Sequence, residues 1–326
     1  MDLTKEELIE RVVNERSVAA INDALIGGAG REIIQYSETF HARQLTSIAD
    51  QIASNVDCRL AVIAGPSSSG KTTTSKRLAV HLHLLGLRPV VLNMDNYFRN
   101  REDTPRDENG NYDFESLGAM DVELLNKQLR QLLAGEEVEI PTFDFNVGKR
   151  KYEGNRLKVS KGSVIIMEGI HGLNPELTPD IPKEEMFTIY ASIIHSLSID
   201  DANDTTYDTR LLRRMVRDQQ FRAHRPEDTI MRWASVRAGE KRNIIPFMRH
   251  ADAYFDSGLI YELPLLKSYT DNLLRSVPAD SPAFGTAQRL LSFIMRRVTA
   301  LTPKEVSFIA TDSIVREFIG GSCFRY

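Results

Sequence analysis

Gly65-Pro66-Ser67-Ser68-Ser69-Gly70-Lys71-Thr72 fits the pattern G-x-x-x-x-G-K-[ST] without a gap. Its two glycines let a backbone wrap tightly with amides pointing inward, which is how a loop cradles a polyphosphate. A lysine at the seventh position reaches the β- and γ-phosphates, and the hydroxyl after it can ligate Mg²⁺. Thr73 extends the row of donors. Other residue types in the chain carry chemistry that belongs beside such a loop. Asp95, in Asn93-Met94-Asp95-Asn96-Tyr97-Phe98, can accept the proton of a hydroxyl that attacks the γ-phosphate. Glu168, in Val164-Ile165-Ile166-Met167-Glu168, is the kind of acid that holds Mg²⁺ or its waters. Arg210, Arg213, Arg214 and Arg217 recur at i, i+3, i+4 and i+7, so one helix face carries all four, and Arg222 and Arg225 follow in a turn. Arginines on a closing segment can neutralise the charge that phosphoryl transfer spreads over the equatorial oxygens. The combined expectation is transfer of a phosphoryl group from a nucleotide.

These groups must be positioned by strands and helices. Leu60–Ala64 reads as a buried strand and Thr72–Leu85 as a helix, so the loop falls between a strand and a helix. Arg88–Met94 predicts a second strand that delivers Asp95 at its C-terminal end, where open α/β sheets bind ligands. Ser163–Met167 predicts another, ending at Glu168, and Phe187–Ile193 a further one. Strands alternating with helices from residue 58 onward predict an α/β parallel sheet flanked by helices, of the P-loop NTPase type. Asp121 is placed to cap a helix carrying Val122, Leu124, Leu125, Leu129, Leu132 and Leu133. Short β-like runs over Glu139–Phe145 and Arg156–Ser160 flank the basic turn Gly148-Lys149-Arg150-Lys151 and predict a small β-hairpin insertion over the site. Leu259–Leu263 also reads as a short strand.

Both ends read as helical. Thr4-Lys5-Glu6-Glu7 can form a capping box, and Ser37 is placed to cap a second helix in which His41 serves packing or the surface. Ser281–Leu301 is an amphipathic helix, Ile314–Ile319 a last short one, and Trp233 is expected in the core. The expected division is 1–55 as a helical N-terminal extension, 56–270 as the nucleotide-binding unit and 271–326 as a C-terminal helical extension packed on it.

A chain of 326 residues, 42% hydrophobic and 26% charged, is ordinary for a globular protein. A net charge of −4 gives no global attraction to nucleic acid or to anionic membrane. The two cysteines, Cys58 and Cys323, have no metal-ligand spacing and suit a reducing compartment. There is no apolar run long enough to span a bilayer and no signal-peptide pattern, so the cytoplasm is expected, with no membrane partner, no nucleic-acid partner and a homo-oligomer left open. A guanine-reading N-K-x-D is missing: Asn126-Lys127-Gln128-Leu129 lacks its aspartate and lies in a helix. No motor- or transporter-type Asp-Glu strand end or signature loop occurs.

Taken in order, GPSSSGKTT, NMDNYF, NYDF, IPTFDF, VIIMEGIHG and DTRLLRRMVRD resemble the uridine kinase and phosphoribulokinase family of P-loop kinases, over roughly residues 58 to 265. The resemblance implies a five-stranded parallel sheet with a β-hairpin that helps hold the acceptor. It also implies ATP-dependent, Mg²⁺-assisted phosphorylation of a sugar hydroxyl, in uridine kinases the 5′-OH of uridine or cytidine. By motif, Asp95 matches the family's base and also serves the acceptor. Tyr97 and Asp113 would lie along the acceptor, and Phe143, where uridine kinases have a tyrosine, would lie against the nucleobase. Glu168 with Thr72 would serve Mg²⁺. Of the arginine helix, Arg210 is assigned to the acceptor, Arg213 to ATP and Arg217 to catalysis; Arg222 and Arg225 match the lid arginines, with one extra residue between them. Two departures bear on the acceptor. Asn146-Val147-Gly148 lacks the histidine with which uridine kinases read the pyrimidine, and residues 195 to 207 are longer and more polar than the family pattern. SIVREFIGG and SETFHARQLTSIADQI resemble a bacterial uridine kinase-like subgroup in which a region similar to threonyl-tRNA synthetase N-terminal domains often precedes the kinase. On that pattern, the 55 residues before this kinase region read as a short form or a fragment. Two other readings stand beside a nucleoside kinase: a kinase of another small hydroxyl acceptor, such as a sugar phosphate or a pantothenate-like molecule, and a nucleotide-dependent, RNA-associated regulator with weak kinase activity.

Overall fold

Leu60–Ala64 is buried at every position, as a parallel strand covered on both faces must be. The computed structural model describes residues 3–108, 110–144, 147–200 and 203–326. Three helices lead in: α1 (Lys5–Glu15), α2 (Val18–Ile26) and α3 (Gly30–Ser54). The sheet region then runs through β1 (Leu60–Ala64), α4 (Lys71–Leu84), β2 (Arg88–Asn93) and α5 (Val122–Leu133). Four short strands follow, β3 (Glu137–Glu139), β4 (Thr142–Asp144), β5 (Lys149–Lys151) and β6 (Arg156–Lys158), and then the long β7 (Ser163–Gly169) and β8 (Met186–Ser192). After β9 (Ser198–Asp200) and β10 (Asn203–Asp204) come α6 (Thr206–Phe221), α7 (Pro226–Asn243) and β11 (Ala253–Asp256). The chain closes with α8 (Glu262–Arg275), α9 (Phe284–Arg297), α10 (Pro303–Val306) and α11 (Arg316–Ile319).

Five strands form one parallel sheet in the order β11-β8-β1-β7-β2. The fold is the expected α/β parallel sheet with flanking helices, a small hairpin insertion and helical ends. Register is what brings the chemistry together. Glu168 of β7 lies between Ile63 of β1 and Asn93 of β2, so the segments leaving β1, β2 and β7 emerge side by side at one edge. Alternation in β1 and β7 splits their side chains between two apolar layers. Ala61, Ile63, Val164 and Ile166 pack with α4 and the second half of α3; Leu60, Val62, Ile165 and Met167 pack with α5 and the hairpin. A third core joins α1, α2 and the start of α3 to α6, α7, α8 and α9, with Trp233 in it as expected.

The insertion is a pair of nested antiparallel ladders, β3 with β6 and β4 with β5. Phe145 and Asn146, the end of the expected strand and the start of the histidine-free segment, lie outside the described residues. The Thr4–Glu7 capping box forms, and Asp121 caps α5 through the Leu124 amide at 3.1 Å. Ser37 caps nothing: α3 begins seven residues earlier, at Gly30, and Ser37 is buried inside it. Leu259–Leu263 is not a strand, because Glu262 starts α8, and Pro264 sits in its first turn, where a missing N–H is harmless. His41 is fully buried and bonds the Gly258 carbonyl at 3.0 Å, a packing role. No helix among the described residues is long and apolar enough to cross a membrane.

Candidate active site

The loop after β1 closes on itself and is braced from behind. Ser68 and Gly70 both have positive φ, at 59° and 82°, which turns successive amides towards one side. Gly65 passes so near the Ala191 carbonyl of β8 that a Cβ there would collide with it. Lys71 Nζ donates to the Pro66 carbonyl at 3.1 Å, folding its side chain over the loop. Thr72 Oγ1 donates to Glu168 Oε1 at 3.0 Å, tying the start of α4 to the end of β7.

Asp95 stands opposite. The Asn93 side chain accepts from the Asp95 amide at 2.8 Å and sets the 3₁₀ turn Met94–Tyr97 directly beyond β2. A Cβ on Gly169 would lie 2.6 Å from Met94 Sδ, so only glycine lets the two segments lie this close. Burial raises the Asp95 carboxyl above the ordinary aspartate range, while the charges of Lys71, Arg222 and Arg217 act to lower it. Burial likewise raises Glu168, and the neighbouring Asp95 charge raises it further, to about 7. Lys71 is lowered by burial, with Glu168 and Asp95 opposing. Two carboxylates therefore share one lysine in a place that strips them of water.

The arginine helix divides along its length rather than by face. Arg210 and Arg213, expected on the acceptor and on ATP, are instead buried structural braces: each is 1% exposed or less. Arg210 forks onto Glu240 of α7 with two bonds of 2.8 Å and donates to the Ser67 carbonyl at 3.1 Å. Arg213 forks onto Glu262 of α8, with Nη2–Oε2 at 2.7 Å, and donates to the Ser68 carbonyl at 3.2 Å and to the Ser257 carbonyl. Both brace the loop, with every guanidinium nitrogen engaged by groups of this chain. Arg214 donates to Ser67 Oγ at 2.9 Å.

Arg217 and Arg222 lie close enough to Asp95 for their charges to act on its carboxyl. Buried Asp218 gathers Arg214, Arg217 and Arg222, with Arg217 Nη2 at 2.8 Å and Arg222 Nη1 at 3.7 Å. Burial alone would raise the Asp218 carboxyl; the three guanidiniums hold it below the usual range. Arg222 is pushed down to about 10 by burial and by Arg217, and the Asp95 charge reaches it. Arg225 stands apart, exposed and paired with Asp228 and Glu227.

On the acceptor side the expected residues separate. Tyr97 is not presented to an acceptor: it is fully buried, and its hydroxyl donates to Gln128 Oε1 at 2.7 Å within the α5 core. A 3₁₀ turn points residues two apart in different directions, so the turn that aims Asp95 outward sends Tyr97 inward. Asp113 is half-buried and paired with Arg242 at 3.3 Å. Phe143 of β4 is half-buried, its ring centroid 5.7 Å from that of Phe98. Glu115, not singled out from the sequence, belongs here too. Burial lifts its carboxyl to about 7, and it feels the charges of Arg214, Lys71, Asp113 and Asp95. The signal was an acid two residues beyond Asp113 in a turn-rich stretch, which nothing in the local pattern distinguishes from surface.

A hydroxyl and a buried carboxylate make a hard oxygen pair, which suits Mg²⁺. No group of three or more His, Cys, Asp or Glu among the described residues could hold a metal alone, so phosphate oxygens and water would complete the shell.

The sequence profile of the phosphoribulokinase / uridine kinase family matches residues 60–262. The uridine kinase of Deinococcus deserti is 30% identical over 198 residues, 60% of this chain and 86% of that protein. That of Ligilactobacillus salivarius is 32% identical over 197 residues, 60% of this chain and 84% of that one. Among solved structures, a possible uridine kinase from Bacillus stearothermophilus aligns with a TM-score of 0.41 and 22% identity, covering 64% of this chain and 98% of that one. The match spans the loop, the sheet and the arginine helix: this chain is an ATP-dependent kinase that belongs to the phosphoribulokinase / uridine kinase family.

Proposed function

We propose that the protein transfers the γ-phosphoryl group of ATP to the 5′-hydroxyl of a pyrimidine ribonucleoside, uridine or cytidine. The observation that carries this reading is Asp95: a carboxyl at the end of β2, beside Glu168 and the loop lysine Lys71, within reach of the charges of Arg217 and Arg222. The names of the relatives at about 30% identity support the same acceptor class.

In this reading the loop amides and Lys71 hold the triphosphate, and Thr72 with Glu168 would hold Mg²⁺. The ion, when bound, neutralises charge on the β- and γ-oxygens. Asp95 accepts the proton of the 5′-hydroxyl as that oxygen attacks, a contribution of about 10²- to 10⁴-fold. Arg217 and Arg222 balance the charge that builds on the transferring group, and Arg225 joins them as the turn closes. Phe143 offers its ring to the nucleobase and Asp113 a carboxylate to the ribose hydroxyls.

The Lys149-Arg150-Lys151 turn does not favour a phosphorylated acceptor. Lys149 pairs with Glu102, Arg150 with Asp121, and Lys151 with Asp144 and Glu153, so acids of this chain already answer its charge.

An acceptor panel with purified protein and ATP tests the proposal. Uridine and cytidine are expected to give the highest kcat/KM, with ribulose 5-phosphate, pantothenate and inositol at background; turnover of one of those three without uridine or cytidine overturns it. The pH profile gives a second check. Base catalysis needs ionised carboxylates, and both Asp95 and Glu168 bind their protons more tightly here than free carboxylates do. The fraction of competent enzyme therefore falls as pH drops through about 7, the value to which Glu168 is raised. The acid limb of kcat/KM, which reports the free enzyme, is expected near neutrality and belongs to the pair. A limb confined below pH 5 would contradict the shared burial.

A further inference from the structure

The first residues of α4 leave amides without helical partners, and these are the donors a phosphate-binding loop offers a nucleotide. One set of them is already taken, by the chain's own C-terminal segment. Glu317 of α11 places Oε2 3.1 Å from the Thr73 amide and 2.7 Å from Thr73 Oγ1, so one carboxylate oxygen collects both donors. Tyr326 adds its hydroxyl to the same Thr73 Oγ1 at 2.9 Å. Lys76, one turn further along α4, donates to the Arg325 carbonyl at 2.7 Å and lies over the Tyr326 ring at 5.6 Å. Ile314 rests on the loop itself: a Cβ on Gly70 would come within 2.6 Å of its Cγ2. The Glu317 charge also reaches Lys71, the residue expected on the β- and γ-phosphates.

A carboxylate bound to a helix-terminal amide and hydroxyl is chemically what a phosphate oxygen would be there, an anion accepting from both. We infer that the segment Ile314–Tyr326 is a built-in competitor of the nucleotide: Glu317 holds the Thr73 donors in place of a phosphate, and nucleotide entry requires it to leave. This rests on the reading of Gly65–Thr73 as the ATP site.

The segment is built to let go in part. Ile314, Val315 and Phe318 are fully buried and keep α11 anchored. Beyond them Gly320 and Gly321 both adopt positive φ, 84° and 73°, conformations only glycine takes without strain. Ser322–Tyr326 then returns to α4, held by the Lys76 and Tyr326 contacts and by the Cys323 amide on the Thr311 carbonyl. Release therefore needs the Glu317 side chain to rotate and the tail to swing about the glycine pair, with the core intact. Where the free form is mostly closed, apparent affinity falls in proportion to the open fraction.

Titration of the full chain with ATP, for wild type, Glu317→Ala, Glu317→Gln and Tyr326→Phe, tests this. The dissociation constant is expected to fall about tenfold in Glu317→Ala, as for an open fraction of about one in ten, and less in the other two. Unchanged or weaker binding in all three variants overturns the inference. Amide exchange of the wild type guards against a variant that misfolds. The Cys323 amide is expected to exchange faster in saturating ATP, and equal or slower exchange counts against release. Lys71→Ala separates the two levels. If it abolishes ATP binding while the Glu317 variants bind as wild type does, the nucleotide site stands and the tail idea falls. If ATP binding is indifferent to Lys71→Ala, the site reading falls and this inference with it.

Discussion

Asp95→Asn is expected to lower kcat by about 10²-fold or more while ATP still binds. The substitution is nearly isosteric, and the backbone at this position is fixed by the Asn93 side chain on the Asp95 amide, so the 3₁₀ turn persists. What is lost is a proton acceptor. The neighbouring Glu168, which shares Lys71 with it, is already engaged by Thr72. Removing a negative charge near Lys71, Arg217 and Arg222 also relieves repulsion towards the triphosphate, so ATP affinity is expected to hold or rise. Steady-state kinetics beside calorimetric titration separates the two quantities. Full turnover in the Asn variant would remove Asp95 from the chemistry, and a collapse of ATP binding would make its role electrostatic.

The second large effect is structural and lies behind the loop. Arg213→Met leaves Glu262 buried without its partner, and breaking a buried pair in this way costs about 3 to 5 kcal/mol. Urea unfolding measures it. The double variant Arg213→Met with Glu262→Met replaces charge with apolar contact and is expected to recover most of that stability, because burying two charges was itself costly. ATP affinity should not recover with it. The Ser68 carbonyl still lacks the donor that helps hold the loop in its positive-φ turn. A single variant that unfolds within 1 kcal/mol of wild type, or a double variant that regains ATP binding along with stability, would show that Arg213 neither supports the core nor shapes the loop.

How far these features were legible depended on whether their causes are local in sequence. The loop was legible because its whole mechanism is contiguous, and Asp95 and Glu168 because each ends an apolar run. Parallel pairing then did the rest: Asn93 and Ile63 flank Glu168, which places three separate strand ends at one edge. The arginine row was legible as a face but not as a set of roles. What turns Arg210 and Arg213 inward is a pair of acids, Glu240 and Glu262, on helices 30 and 49 residues further on. Tyr97 went astray for a related reason, since the motif gives its identity while the turn sends its hydroxyl to Gln128 of α5. Glu115 and Glu317 were missed because their importance is purely tertiary: each is an unremarkable acid until the fold carries it to Lys71 or Thr73. Ser37 shows the opposite failure. A residue type that favours helix starts lies inside a helix already begun at Gly30, since packing of Ile33 and Ile34 overrides the local preference.

Phosphorus NMR of the products tests directly whether the phosphoryl group goes to a nucleoside 5′-hydroxyl. With ATP, Mg²⁺ and uridine, ADP and uridine 5′-monophosphate are expected in equal amounts, with 5′-deoxyuridine inert. ADP formed without a nucleotide product, or a phosphate placed on the 2′- or 3′-oxygen, would contradict transfer to the 5′-hydroxyl.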